Sequence, residues 1–152
     1  MILITILFIL SLLRKTIKKM SIGIENNNPG NIRPNPSITW QGQTGVNDGY
    51  LTFDTMEHGI RAIAKNAKNT VAAGYNTPLK FFNHYAPASD QNSPGSYAAF
   101  VAGKMGIGVN DNINFSNLQN LINFVTAIIQ MENGPAANLL SSSVISQGAT
   151  LS

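Results

Sequence analysis

Seven side chains in this sequence can carry a carboxylate: Glu25, Asp48, Asp54, Glu57, Asp90, Asp111 and Glu132. His58 and His84 are the other groups able to exchange a proton near neutral pH, and cysteine is absent. A thiol nucleophile, a disulfide framework and a thiolate metal site are thereby excluded. The two histidines have no third ligand at metal-binding spacing and form no His-Glu-x-x-His helix, so neither a metal nor a cofactor is expected. What remains is acid chemistry by a carboxyl group, which needs an apolar surround that keeps the group protonated near pH 7.

Glu132 fits that requirement best. Leu118, Leu121, Ile122, Val125, Ile128 and Ile129 mark an apolar stripe at helical spacing, and Glu132 falls within it at about 100° per residue. In the last turn it also feels the negative end of the helix dipole, which opposes ionisation as burial does. The competing reading makes Glu132 a structural acceptor that hydrogen-bonds a loop such as 26–31. Glu25, beside an asparagine-rich loop, is the second candidate, as acid or as partner. Asp54 reads as a helix cap and Glu57 as the fourth residue of its capping box. Asp48 and Asp111, next to Gly or Asn, read first as turn formers, though either could supply a second carboxylate or orient water, and Asp90 reads as loop surface.

These groups must be held by a mainly helical frame. From Ile22 to Thr44 the chain is rich in Asn, with Pro29, Gly30, Pro34 and Pro36, and predicts an ordered loop. Tyr50-Leu51-Thr52-Phe53, following the Gly45–Gly49 stretch, suits a hairpin arm. Met56, Ile60, Ile63, Ala64, Ala67 and Val71 repeat as in a helix that Gly74 stops. Pro78 and Pro94 open two more helices, the second closed by Gly106. Ser116 caps a last long helix over 117–133, ended by Gly134 and Pro135. The Ser-rich stretch after Leu140 predicts a flexible tail, 141–152. The expected class is α+β, predominantly helical, with a minimal β-hairpin.

At 152 residues, with 43% apolar and 11% charged side chains, the chain suits one folded domain, assigned to 20–140. The net charge of +3 is local: without Arg14, Lys15, Lys18 and Lys19, 6 basic face 7 acidic side chains. A near-neutral fold argues against a nucleic-acid partner or a packaging role. Residues 1–19, apolar and then basic, are placed outside the fold. Their apolar run is short of the roughly 20 residues that cross a bilayer, and no cleavage site follows it. Either translation begins at Met20 or the segment is a weak anchor, the sole expected membrane contact.

Glu25-Asn26-Asn27-Asn28-Pro29-Gly30-Asn31-Ile32-Arg33 is followed by Trp40-Gln41-Gly42, Gly49-Tyr50-Leu51-Thr52-Phe53 and Gly59-Ile60-Arg61-Ala62. Further on come Gly74-Tyr75-Asn76-Thr77, Tyr85-Ala86-Pro87, Tyr97, Val101 and Glu132-Asn133-Gly134. In this order the motifs resemble a phage-encoded family of lysozyme-like virion and tail-associated wall-degrading proteins that open with an NNPGN-type loop. The likeness spans residues 23 to 135. The chain departs from the pattern at Tyr85, where relatives often carry Trp, and at Ala88-Ser89-Asp90, where Pro and Glu are usual.

The resemblance implies a lysozyme-like fold and a peptidoglycan-cleaving glycosidase, either a lytic transglycosylase or a muramidase or glucosaminidase. Bacterial peptidoglycan is then the partner, beside other virion proteins, and the location is the virion or the host envelope. On that view Glu132 protonates the glycosidic oxygen. Asn27, Asn28 and Asn31 could bind N-acetyl groups, or simply shape a turn. Arg33 and Arg61 could hold a lactyl or peptide carboxylate, or bridge loop to helix. Trp40, Tyr50 and Tyr85 could stack on sugar faces, or pack in the core. Lack of an obvious paired carboxylate leans toward the transglycosylase. The alternative is a virion structural or wall-binding module with the same fold and no chemistry.

Overall fold

The computed structural model describes residues 20–85 and 93–152. The expected segment 1–19 and the loop residues around Asp90 lie outside the described residues.

The class is as expected: helices dominate, and the sheet is one two-stranded antiparallel hairpin. A short helix α1, Ile22–Glu25, opens the described chain, with Ser21 as its cap. The loop expected from Ile22 onward thus begins with a helical turn, which four residues are too few to reveal by period. The ordered asparagine loop follows. Strands β1, Gln43–Asn47, and β2, Tyr50–Phe53, pair Asn47 with Tyr50 and Gln43 with Phe53, with an irregularity between Gln43 and Gly45. Their turn is Asp48-Gly49, both at positive φ (51° and 80°). That two-residue geometry matches the right-handed twist of the strands, and an Asp-Gly pair supplies it cheaply.

Helix α2, Met56–Ala72, is capped by Thr55, whose hydroxyl accepts from the His58 N–H. The cap expected at Asp54 is thus displaced by one residue. Asp54 instead accepts a 2.6 Å bond at His58 Nδ1, and that contact lowers its carboxyl pKa. Helices α3, Pro78–Tyr85, and α4, Pro94–Met105, begin at the two expected prolines, and Gly106 closes α4 at φ 70°. Helix α5, Leu118–Asn133, is capped by Asn117 rather than by Ser116. Its C-terminal glycine, Gly134, sits at φ 52° and leads into a 3-10 turn, Gly134–Leu139.

The flexible tail expected over 141–152 is a helix, α6, Ser142–Thr150, laid against α2. Ser141 caps it, and Ile145 and Ala149 are buried. A Cβ on Gly148 would come within 2.7 Å of the Ile60 side chain, so only glycine permits this crossing. Arg61 Nε donates to the Leu151 carbonyl at 3.1 Å and Lys68 Nζ to that of Ser152 at 2.9 Å. Serine-rich composition suggested fraying, yet three small apolar positions on one face suffice when a long helix is there to receive them. Ile145→Ala should therefore cost about 2 kcal/mol in a urea unfolding curve. A value near zero would restore the frayed tail.

The core joins Ile60 and Ile63 of α2, Phe81 and Phe82 of α3, Val101 of α4, and Leu121, Phe124, Val125 and Ile128 of α5. A smaller cluster of Leu51, Phe53 and Ala62 seats the hairpin on α2, with Ile32 and Trp40 against it. Among the described residues no helix is long and apolar enough to cross a membrane.

Candidate active site

The asparagine loop is welded to three neighbours. Toward the hairpin, Leu51 N–H donates to the Ile32 carbonyl and Phe53 N–H to that of Asn26, which occupies the free edge of β2. Asn28 is wholly buried: its amide nitrogen donates to the carbonyls of Ile32 and Leu51, each at 2.9 Å, and its oxygen accepts from Ile32 N–H. Asn27, at φ 52°, donates to the Phe53 carbonyl. Toward α2, the loop approaches so closely that a Cβ on Gly59 would overlap the Asn27 carbonyl. Toward α5, buried Asn133 donates to the Pro29 carbonyl at 2.6 Å and accepts from the Ser21 hydroxyl at 2.6 Å.

Pinning Asn133 places its neighbour, Glu132, against the loop. Asn31 Nδ2 donates to Glu132 Oε2 at 2.9 Å. Asn31 adopts φ 48°, a left-handed conformation that Asn tolerates better than most side chains. Its own oxygen is buried without a hydrogen-bond partner among the described residues. Burial raises the Glu132 pKa above the ordinary carboxyl value, and the Asn31 amide offsets part of that rise by favouring the anion. Glu132 is half-buried, as its place in the helix stripe predicts, and it both lines a cleft and bonds the loop.

That cleft encloses about 600 Å³. Asn31, Arg33, Tyr50, Asn66 of α2, Tyr85 and Tyr97 line it with Glu132. Arg33 lies over the Tyr50 ring, 4.8 Å from its centroid, and donates to the Tyr50 hydroxyl at 3.3 Å. The Tyr85 phenol is pushed far above its usual pKa, first by burial and then by the negative charge of Glu132. It keeps its proton at any working pH and is a standing hydrogen-bond donor. Among the described residues lining the cleft, Glu132 is the one carboxylate.

Several expected site residues fall elsewhere. Glu25 is exposed at the end of α1 and does not line the cleft, so it is neither the acid nor its partner there. Asn27 and Asn28 spend their amides on backbone groups, which leaves the shaping role alone. Trp40 and Arg61 line a separate groove, and Arg61 bridges α2 to the end of the chain. His58 is held by Asp54, and His84 stacks on Tyr75 with ring centroids 3.9 Å apart. Among the described residues no cluster of His, Asp and Glu could hold a metal. Asn66 is not marked by the sequence, because a polar residue on an amphipathic helix looks like surface until the fold shows that it lines a cleft.

Asn31→Gly tests the loop contact without backbone strain, since glycine accepts positive φ. The alkaline limb of any Glu132-dependent rate should move to higher pH, because the bond that favours the anion is gone. The rate should fall on the order of tenfold, as for a hydrogen bond to a charged group.

Fold and cleft together define a small helical α+β domain with one half-buried acid at the junction of its last long helix and an asparagine loop. No family model matches the chain. Over 123 residues it is 32% identical to Protein P5 of Pseudoalteromonas phage PM2, a match that covers 78% of this chain and 74% of that protein. The chain belongs to the family of that phage protein.

Proposed function

We propose that this is a lysozyme-like, peptidoglycan-cleaving glycosidase of a bacteriophage, acting by lytic transglycosylation and carried in the virion. One observation bears most of the weight: Glu132 is a burial-raised acid inside a polar cleft with no second carboxylate among the described residues lining it. Kinship with a phage protein and the order of the NNPGN-type motifs point the same way.

Protonated Glu132 gives its proton to the glycosidic oxygen as the bond to the muramyl anomeric carbon breaks. The 6-hydroxyl of that same sugar then attacks the anomeric carbon and returns its proton to the Glu132 carboxylate. One acid–base group suffices, because the nucleophile belongs to the substrate. Asn31 orients the carboxylate, while Tyr85, Tyr50 and Arg33 offer donors and ring faces to the sugars.

Mass analysis of the products from purified sacculi tests this reading. Soluble muropeptides with 1,6-anhydromuramic ends are expected. Reducing muramic or glucosamine ends would replace the transglycosylase by a hydrolase. Binding without any soluble product would leave a wall-binding virion module.

A further inference from the structure

Beside the cleft, on the other side of Asn66, runs a second groove of about 530 Å³. Asn66 lines both, so the two depressions adjoin at that residue of α2. The second groove holds Trp40, Arg61, Lys65 and Asn69, with Gln41 at its rim. Arg61 and Lys65 stand four residues apart on α2 and so share a face. No carboxylate is among the described residues lining this groove, and nearby Asp54 is engaged by His58, which also contacts Gln41 at 3.3 Å. The Leu151 carbonyl holds Arg61 by Nε alone, which orients the guanidinium. Trp40 is half-buried against the hairpin cluster, so one part of its ring is fixed and the rest faces the groove.

An aromatic face, two cations and three amides at one place suit a ligand that is part sugar and part anion. We propose that the Trp40–Arg61–Lys65 groove is a second binding site that takes a carboxylate-bearing stretch of the glycan strand whose scissile bond lies in the Glu132 cleft. This site rests on the proposed function for its substrate class, but its use is binding and requires no bond to break. It would hold the strand beyond the cleavage point, with Trp40 against a sugar and Arg61 and Lys65 on lactyl or peptide carboxylates.

Trp40 is the sole tryptophan of the chain, so its emission reports this groove directly. The probe is a soluble fraction of sonicated sacculi, titrated into the full chain carrying Glu132→Gln, which cannot turn the strand over. A saturable change in tryptophan emission is expected, and Lys65→Glu should weaken it on the order of tenfold at low salt. The penalty should shrink as salt screens the pairing. Fragments whose carboxyls have been amidated should bind equally to both proteins. Lys65 is exposed and makes no hydrogen bond among the described residues, so its replacement leaves the fold intact.

Equal binding by Lys65→Glu and its parent would overturn the proposal, as would equal affinity of the parent for native and amidated fragments. So would an emission change produced by duplex DNA and not by the sacculus fragments. Lys65-dependent binding by a chain whose Glu132 form releases no soluble product would keep this site and remove the cleavage reading. Cleavage without Lys65-dependent binding would do the reverse.

Discussion

On the proposed reading, Glu132→Gln is expected to lower the release of soluble muropeptides on the order of a thousandfold while leaving the protein folded and able to bind sacculi. The magnitude is that of a positioned general acid. Glutamine keeps the shape and the acceptor for Asn31 Nδ2, and it removes only the proton that the proposed reaction needs. The parent's rate should fall as pH rises through the raised pKa of Glu132, because the acid form disappears. An unchanged rate in the glutamine protein would end the catalytic role.

The same substitution has a thermodynamic signature of opposite sign. Burial raises the Glu132 pKa in the folded protein, so folding binds the proton more tightly than the unfolded chain does. The contribution to stability is complete below the unfolded pKa and is lost as pH rises through the folded value. Glutamine has nothing to lose across that window. Glu132→Gln should therefore gain melting temperature relative to the parent as pH rises from acid to neutral. If the two melting curves keep a constant offset from pH 4 to 8, the carboxyl is not perturbed as the geometry requires.

Gly59→Ala should carry the largest structural penalty, about 3 kcal/mol when checked by urea unfolding, at the upper end of overpacking effects. Its Cβ would enter the space of the Asn27 backbone carbonyl, and the Pro29 ring is only 3.1 Å away. Neither neighbour can yield cheaply. Asn27 bonds the Phe53 carbonyl, and the Pro29 carbonyl accepts from buried Asn133. Relief must come from lifting the loop off α2, which also draws Asn31 away from Glu132. Stability and sacculus cleavage should fall together. Gly95→Ala, where nothing lies within 4 Å of the added carbon, should spare both. A Gly59→Ala protein as stable as its parent would show that the loop does not press on the helix.

The helices from Pro78, from Pro94 and over 118–133, the Asp-Gly turn and the burial tendency of Glu132 were all legible in the chain. Each depends on neighbours within a few residues: a proline at a first turn, a glycine at positive φ, an apolar stripe of fixed period. Local sterics and periodicity carry such information without a partner. Asn31 could be named as a candidate by its place in the loop, but its bond to Glu132 crosses 101 residues. Four asparagines within six residues look alike in one dimension. The fold separates them: Asn26 to Asn28 satisfy hairpin and loop backbone, and Asn31 alone reaches the acid.

Only the tertiary structure could remove Glu25 from the site, move Arg61 and Trp40 into a neighbouring groove, bring in Asn66, and turn a serine-rich tail into a docked helix. In each case the deciding quantity is which distant surface a side chain meets. A short helix such as α6 has little intrinsic preference to display and exists because α2 offers Ile60 opposite Gly148. Composition and periodicity determined the mainly helical α+β class and the half-buried place of Glu132 at the end of its helix. Packing between elements far apart in the chain decided what stands around that acid.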